Sequence, residues 1–87
     1  GELNRWIGGV VCDVKDNMIC VIPIIKDDES DYKFETKNCT FFNKFAVHGS
    51  VKFNLTSYVR FERVISINGK VSDNYMQELK EKLEKGE

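Results

Sequence analysis

Trp6-Ile7-Gly8-Gly9-Val10-Val11-Cys12-Asp13-Val14-Lys15, then Asp16-Asn17, then Met18-Ile19-Cys20-Val21-Ile22-Pro23-Ile24-Ile25: this stretch decides the fold. In its first part Trp6, Gly8, Val10, Cys12 and Val14 share one parity, while Asp13 and Lys15 share the other. That is the pattern of a strand with one buried face. Gly8-Gly9 inside it predicts a bulge or a sharp bend. Asp16-Asn17 is turn chemistry. The second part is an unbroken apolar run, too short for a typical helix and rich in β-branched residues. It reads as a central strand buried on both faces. Pro23 is expected near that strand's edge or at a bulge, because proline has no N–H to give to a ladder. Together the two parts form a hairpin.

Beyond the hairpin, Lys26-Asp27-Asp28-Glu29-Ser30-Asp31 reads as a solvated loop. A third strand is expected from about Tyr32 to Phe41, where Tyr32, Phe34 and Thr36 alternate against Lys33, Glu35 and Lys37. Phe42 to Gly49 is open between a loop and a helical turn. Gly49-Ser50 opens a fourth strand, with Val51, Phe53 and Leu55 on one face. The fifth runs from Tyr58 to Ile67 and ends at Asn68-Gly69. On its inward parity (Val59, Phe61, Arg63, Ile65, Ile67) the arginine is a misfit, either re-aimed by a bulge near Glu62 or set at a wet mouth of the barrel.

The last segment is helical. Ser72 is a suitable N-cap, Asp73 suits the positive end of the dipole, Val71 can staple onto Met76, and Gly86 is a C-terminal stop. Tyr75, Met76, Leu79 and Leu83 recur at helical spacing. A helix of about 13 residues is marginal alone, so this stripe must dock on the barrel or on a partner. The expected fold is mainly β: a small five-stranded OB-like or SH3-like barrel over about residues 5–69, with one C-terminal α-helix over about 72–85. All of it forms a single domain, residues 1–87.

Composition agrees with a soluble globular domain, since 41% of residues are apolar and 31% charged. A chain of 87 residues buries only roughly 60–65% of the surface it exposes when unfolded. No apolar run approaches the roughly 18 residues of a membrane span, and no signal peptide is visible at the N-terminus. The expected location is therefore intracellular, cytoplasm or nucleus, with no membrane partner. The chain opens on Gly1 and not on Met, as an excised domain or a processed chain does. Cys12, Cys20 and Cys39 are odd in number and read as buried thiols of a reducing compartment.

The net charge of −1 conceals a polarised chain. Residues 1–31 hold three basic and seven acidic side chains, residues 32–70 seven basic and two acidic, and residues 71–87 three basic and five acidic. The basic middle also holds most of the aromatics. Lys33, Phe34, Lys37, Phe41, Phe42, Lys44, Phe45, Lys52, Arg60 and Arg63 are thus the candidate nucleic-acid-binding residues. Single-stranded nucleic acid is held by this combination, because bases stack on rings while cations track phosphates. Pleat alternation alone would produce the same interleaving, with Phe34, Phe53 and Phe61 as ordinary core. Phe41, Phe42 and Phe45 are harder to bury together, and exposed they would form a surface for a protein partner. The helix stripe Tyr75, Met76, Leu79, Leu83 is a second candidate protein contact.

Catalytic constellations are absent from the sequence. Cys12, Cys20, Cys39 and His48 lack the paired spacing of a zinc finger or ribbon, and His48 has no evident nucleophile partner. There is no glycine-rich phosphate loop. Neither metal, cofactor nor catalytic residue is expected.

Two family resemblances cover most of the chain. Gly9-Val10-Val11-Cys12-Asp13-Val14-Lys15-Asp16 resembles the first strand of a cold-shock OB domain, and Val47-His48-Gly49-Ser50-Val51-Lys52-Phe53-Asn54-Leu55 its Gly-x-x-Val-x-Phe entry to the fourth. Arg63-Val64-Ile65-Ser66-Ile67 resembles its fifth strand. That family binds single-stranded RNA or DNA on an aromatic, basic sheet face. Here Met18-Ile19-Cys20-Val21-Ile22 and Lys33-Phe34-Glu35-Thr36 stand where its two aromatic signatures would be, so the resemblance implies a degenerate member within a larger protein.

The second resemblance is to MazF/PemK-type toxin endoribonucleases, which are SH3-like barrels. Ile19-Cys20-Val21-Ile22-Pro23-Ile24 resembles the strand before a catalytic position of that family. Ser57-Tyr58-Val59-Arg60-Phe61-Glu62-Arg63-Val64 resembles a later strand, and Gly69-Lys70-Val71-Ser72-Asp73-Asn74-Tyr75-Met76-Gln77-Glu78-Leu79 its closing helix. Ile25 occupies the place of the catalytic Thr, and the family's Arg-Pro element has no counterpart, so this resemblance implies the barrel without its cleavage residues. The expected function is a noncatalytic module of a larger protein that binds single-stranded RNA or DNA weakly.

Overall fold

The computed structural model describes residues 6–26, 32–42 and 47–86. Strands β1 (Trp6–Lys15) and β2 (Met18–Ile25) form the expected antiparallel hairpin, turning at Asp16 with φ 55°. β2 is buried along nearly its whole length, as its apolar run demands. The register slips twice along β1, between Trp6 and Gly8 and between Val11 and Asp13. The bulges therefore bracket the glycine pair. Gly9 lies opposite Pro23, and a Cβ there would collide with the Val21 side chain.

The second slip changes the outcome for Val14. An extra residue reverses which face every later side chain takes. Val10 and Cys12 are buried as expected, but Val14 is exposed, and Asp13 and Lys15 now share the side of Cys20 and Met18.

β2 is the hub of the main sheet. One edge carries β1; the other carries β5 (Ser57–Arg60) along Met18–Val21, then β4 (Ser50–Val51) along Ile24–Ile25. Pro23 is in the strand's interior and not at its edge. A strand residue points its N–H and C=O toward the same neighbour, and the Pro23 carbonyl accepts the Lys52 N–H at 2.9 Å. Proline's missing donor thus falls in the gap between β5 and β4, where no ladder needs it.

The later strands are shorter than the alternation suggests. Between Tyr32 and Phe41 there is one bridge, Lys33 to Ser50, then a 3-10 turn at Thr36–Asn38 and the short strand β3 (Cys39–Phe41). The fourth strand ends at Val51, because a 3-10 turn at Phe53–Leu55 swings Phe53 into the core. The fifth ends at Arg60, and a 3-10 turn at Phe61–Arg63 re-aims Arg63 to solvent. Gly69 opens a further strand, β6 (Gly69–Val71), which pairs with β3 in a separate two-stranded sheet. A Cβ at Gly69 would lie 2.6 Å from the Thr40 carbonyl oxygen, so this close pairing needs glycine. Among the described residues β1 has no partner on its outer edge, and the sheet does not close into a barrel.

Helix α1 (Asp73–Glu84) follows directly. Ser72 caps it, accepting the Tyr75 N–H at 3.2 Å, and Gly86 ends it at φ +76°. Leu79 and Tyr75 dock into a core made with Val10, Cys12, Ile22, Ile24, Val51 and Phe53. The Tyr75 hydroxyl accepts the Glu35 N–H at 3.0 Å and lies 3.1 Å from the Tyr32 hydroxyl, which donates to Glu78 at 2.8 Å. No helix among the described residues is long and apolar enough to cross a membrane.

Candidate nucleic-acid interface

Beyond the helix, the core-side face of the sheet continues into the open. Its chemistry is set by two cross-strand rows. The first is Asp13–Cys20–Tyr58 and the second Lys15–Met18–Arg60. Residues two apart on a strand share a face, so all six side chains project to one side, with the rows about 7 Å apart and adjacent strands about 4.8 Å apart. The bulge at Val11–Asp13 makes this possible, since without it Asp13 and Lys15 would face the other way.

In the first row the Tyr58 side chain reaches across Cys20, and its hydroxyl donates to Asp13 Oδ2 at 3.3 Å. Asp13 Oδ1 accepts the Val14 N–H at 2.9 Å. The negative charge of Asp13 raises the Tyr58 phenol above its ordinary range, so the ring stays neutral. Tyr58 is 51% exposed and therefore offers a wet aromatic surface. Beneath it the Cys12 thiol donates to the Cys20 carbonyl at 3.5 Å. Burial, reinforced by Cys20, pushes that thiol up to about 11.

The second row places a cation on each side of Met18. Phe61, 58% exposed, follows Arg60 at the start of the 3-10 turn, and its N–H donates to the Asn17 carbonyl at 2.9 Å. Arg63 is exposed on the same 3-10 turn, and Glu62 holds Arg60 at 3.8 Å through a fully solvated pair worth little. Tyr58, Lys15 and Arg60 thus share one face of the sheet, and Phe61 and Arg63 lie exposed on the turn that follows.

The ten residues singled out from sequence do not form one site. Arg60 and Arg63 lie here. Lys33 and Lys52 flank β4 toward the other end of β2, seven and five residues along it from Met18, or roughly 23 and 17 Å at ~3.3 Å per residue. Phe34 is half-buried, its ring 5.8 Å from that of Tyr75, and Phe41 packs against the core. Lys37 sits on its own 3-10 turn, 3.8 Å from Glu35. Phe42 is 65% exposed near Asn68, whose carbonyl accepts its N–H. Lys44 and Phe45 lie outside the described residues. In the helix stripe, Tyr75 and Leu79 are consumed by the core, while Met76 and Leu83 are partly buried against it.

Asp13, Lys15, Met18 and Tyr58 were missed as a group. The Asp16-Asn17 turn was the available signal, because it sets Lys15 opposite Met18. All three cysteines are free thiols, and the described residues contain no cluster of three or more metal-ligating side chains. No family model, curated protein or solved structure matches the chain.

Proposed function

We propose that this domain is a noncatalytic module of a larger intracellular protein, and that it binds single-stranded RNA or DNA weakly across the open end of its sheet. The observation that carries the reading is the pair of rows Asp13–Cys20–Tyr58 and Lys15–Met18–Arg60, which set an exposed ring beside two exposed cations on one face, over the buried Cys20. Bases stack on Tyr58 and Phe61, and Lys15, Arg60 and Arg63 follow the phosphates. With three cations and a nearly neutral chain, affinity is modest and falls steeply with salt. Neutralisation, Lys15→Gln with Arg60→Gln, should weaken binding of a short oligonucleotide and flatten its salt dependence by about one unit per cation removed. Neutralisation at Lys33 and Lys52 should do far less. Amide signals of Tyr58–Arg63 that stay unmoved by oligonucleotide at low salt would remove the reading.

A second reading follows the toxin-type resemblance. A short strand running into a docked C-terminal helix lies where that family's closing helix is expected. On this second reading the domain is an SH3-like relative of the MazF/PemK toxins without their cleavage residues, and the same face contacts RNA. An RNA incubated with purified protein should then remain intact; cleavage would restore an enzymatic role. The exposed Phe42, Ile65 and Ile67 support the further alternative of a protein-interaction domain, for which charge reversal at Arg60 would be without effect.

A further inference from the structure

Asp13 is out of place in a surface meant for phosphates. A carboxylate in the row beside Lys15 and Arg60 weakens a polyanion's grip, so its presence calls for a ligand group that a carboxylate recognises. Each carboxylate oxygen has two lone pairs. Oδ1 spends one on the Val14 N–H at 2.9 Å, and Oδ2 one on the Tyr58 hydroxyl at 3.3 Å. One acceptor site is left on each oxygen, side by side at the end of an exposed ring.

The bases differ sharply toward such a pair. Guanine alone presents two adjacent N–H donors, N1–H and the N2 amino group, on its Watson–Crick edge. Adenine and cytosine set an amino donor beside a ring-nitrogen acceptor, which faces the second oxygen with repulsion. Uracil sets a single N–H between two carbonyls. Single-stranded recognition reads this edge while the base stacks on an aromatic ring.

We propose that Asp13 is a specificity-determining residue that selects guanine, with the base stacked on Tyr58 and its N1–H and N2–H donating to the two carboxylate oxygens. This inference rests on the nucleic-acid reading above. Tyr58 fixes the carboxylate by its hydrogen bond and supplies the stacking face, and Lys15 and Arg60 in the adjacent row hold the flanking phosphates.

The test is fluorescence anisotropy at low salt with labelled RNA heptamers: all-uridine, and the same sequence with one central guanosine, adenosine, cytidine or inosine. The guanosine strand should bind on the order of tenfold tighter than the all-uridine one. Inosine, which keeps N1–H but lacks the amino group, should fall between. Asp13→Asn, whose amide oxygen still accepts the Val14 N–H, should erase the guanosine preference and tighten all-uridine binding, because a negative charge leaves the phosphate-binding surface. Tyr58→Ala should weaken every strand and narrow the guanosine preference, since stacking and the hydrogen bond that fixes Asp13 are lost together, with unchanged circular dichroism confirming that both variants fold. Equal binding of all strands by the unaltered protein, or a guanosine preference that survives Asp13→Asn, overturns the assignment and leaves the binding module standing. Failure of every strand to bind overturns both.

Discussion

The two ends of β2 are built from the same kind of apolar residue and buried almost alike, but their neighbours across the sheet differ. At the Ile22–Ile25 end the strand is enclosed by β1, β4, Phe53 and α1, and every side chain is buried. At the Met18–Cys20 end the same sheet runs past the helix, and its face ends in Asp13, Lys15, Tyr58 and Arg60 at the solvent. One end is a core with polar groups locked beneath a helix. The other is a platform. Stability resides in the first and, on our reading, ligand binding in the second, so substitutions at the two ends should separate the two properties.

The largest break should come from Leu79→Ala. Its side chain is fully buried, and the cavity should cost about 3 kcal/mol in urea-induced unfolding, without altering affinity per folded molecule. Pro23→Ala comes next and runs against the habit of removing prolines from strands. It places an N–H in the gap between β5 and β4, and a loss of about 2 kcal/mol is expected from that buried, unpaired donor. Unchanged stability would mean that the gap admits a partner.

Tyr75→Phe should cost roughly 1 to 2 kcal/mol by orphaning the Glu35 N–H and one contact of Tyr32, read as a lower melting temperature. At alkaline pH the Cys12 thiol matters. Its folded value of about 11 lies above the ordinary 9.0, so the folded state holds that proton more tightly. The resulting stability is complete below pH 9 and is lost as pH rises toward 11. Cys12→Ser should flatten that part of the profile. The smallest effect is expected at the open end: Arg60→Ala should shift stability by less than about 0.5 kcal/mol.

How far the sequence discloses this contrast depends on the element. The hairpin, its turn at Asp16 and the helix from Ser72 to Gly86 were legible, because each rests on short-range chemistry: a doubly buried apolar run, a left-handed turn residue, a cap. The mainly β class followed from them. The third, fourth and fifth strands were overestimated because alternation was read as pairing. Tyr32, Phe34 and Phe53 are pulled inward by Tyr75 and by one another, and the chain kinks into 3-10 turns to deliver them. Tertiary packing overrode the local pattern.

The sequence shows rings interleaved with cations, but not which of them share a face. Arg60 lies on the proposed face, whereas Lys33 and Phe34 sit at the far end of β2. The deciding event is the bulge between Val11 and Asp13, and nothing in the alternation marks it. A single inserted residue turned Asp13 and Lys15 toward Tyr58 and Arg60.

Val64–Ile67 has a different consequence. It is an extended run outside any ladder, with Ile65 99% exposed. Such β-branched stretches are templates for cross-β association once they reach about six or seven residues. Arg63 on one side and Asn68-Gly69-Lys70 on the other confine this run to four, acting as gatekeepers. Replacing Arg63 and Asn68 together with aliphatic residues would lengthen the sticky window to six without touching the core, and concentrated solutions would register the change as fibrils before any loss of fold was measurable.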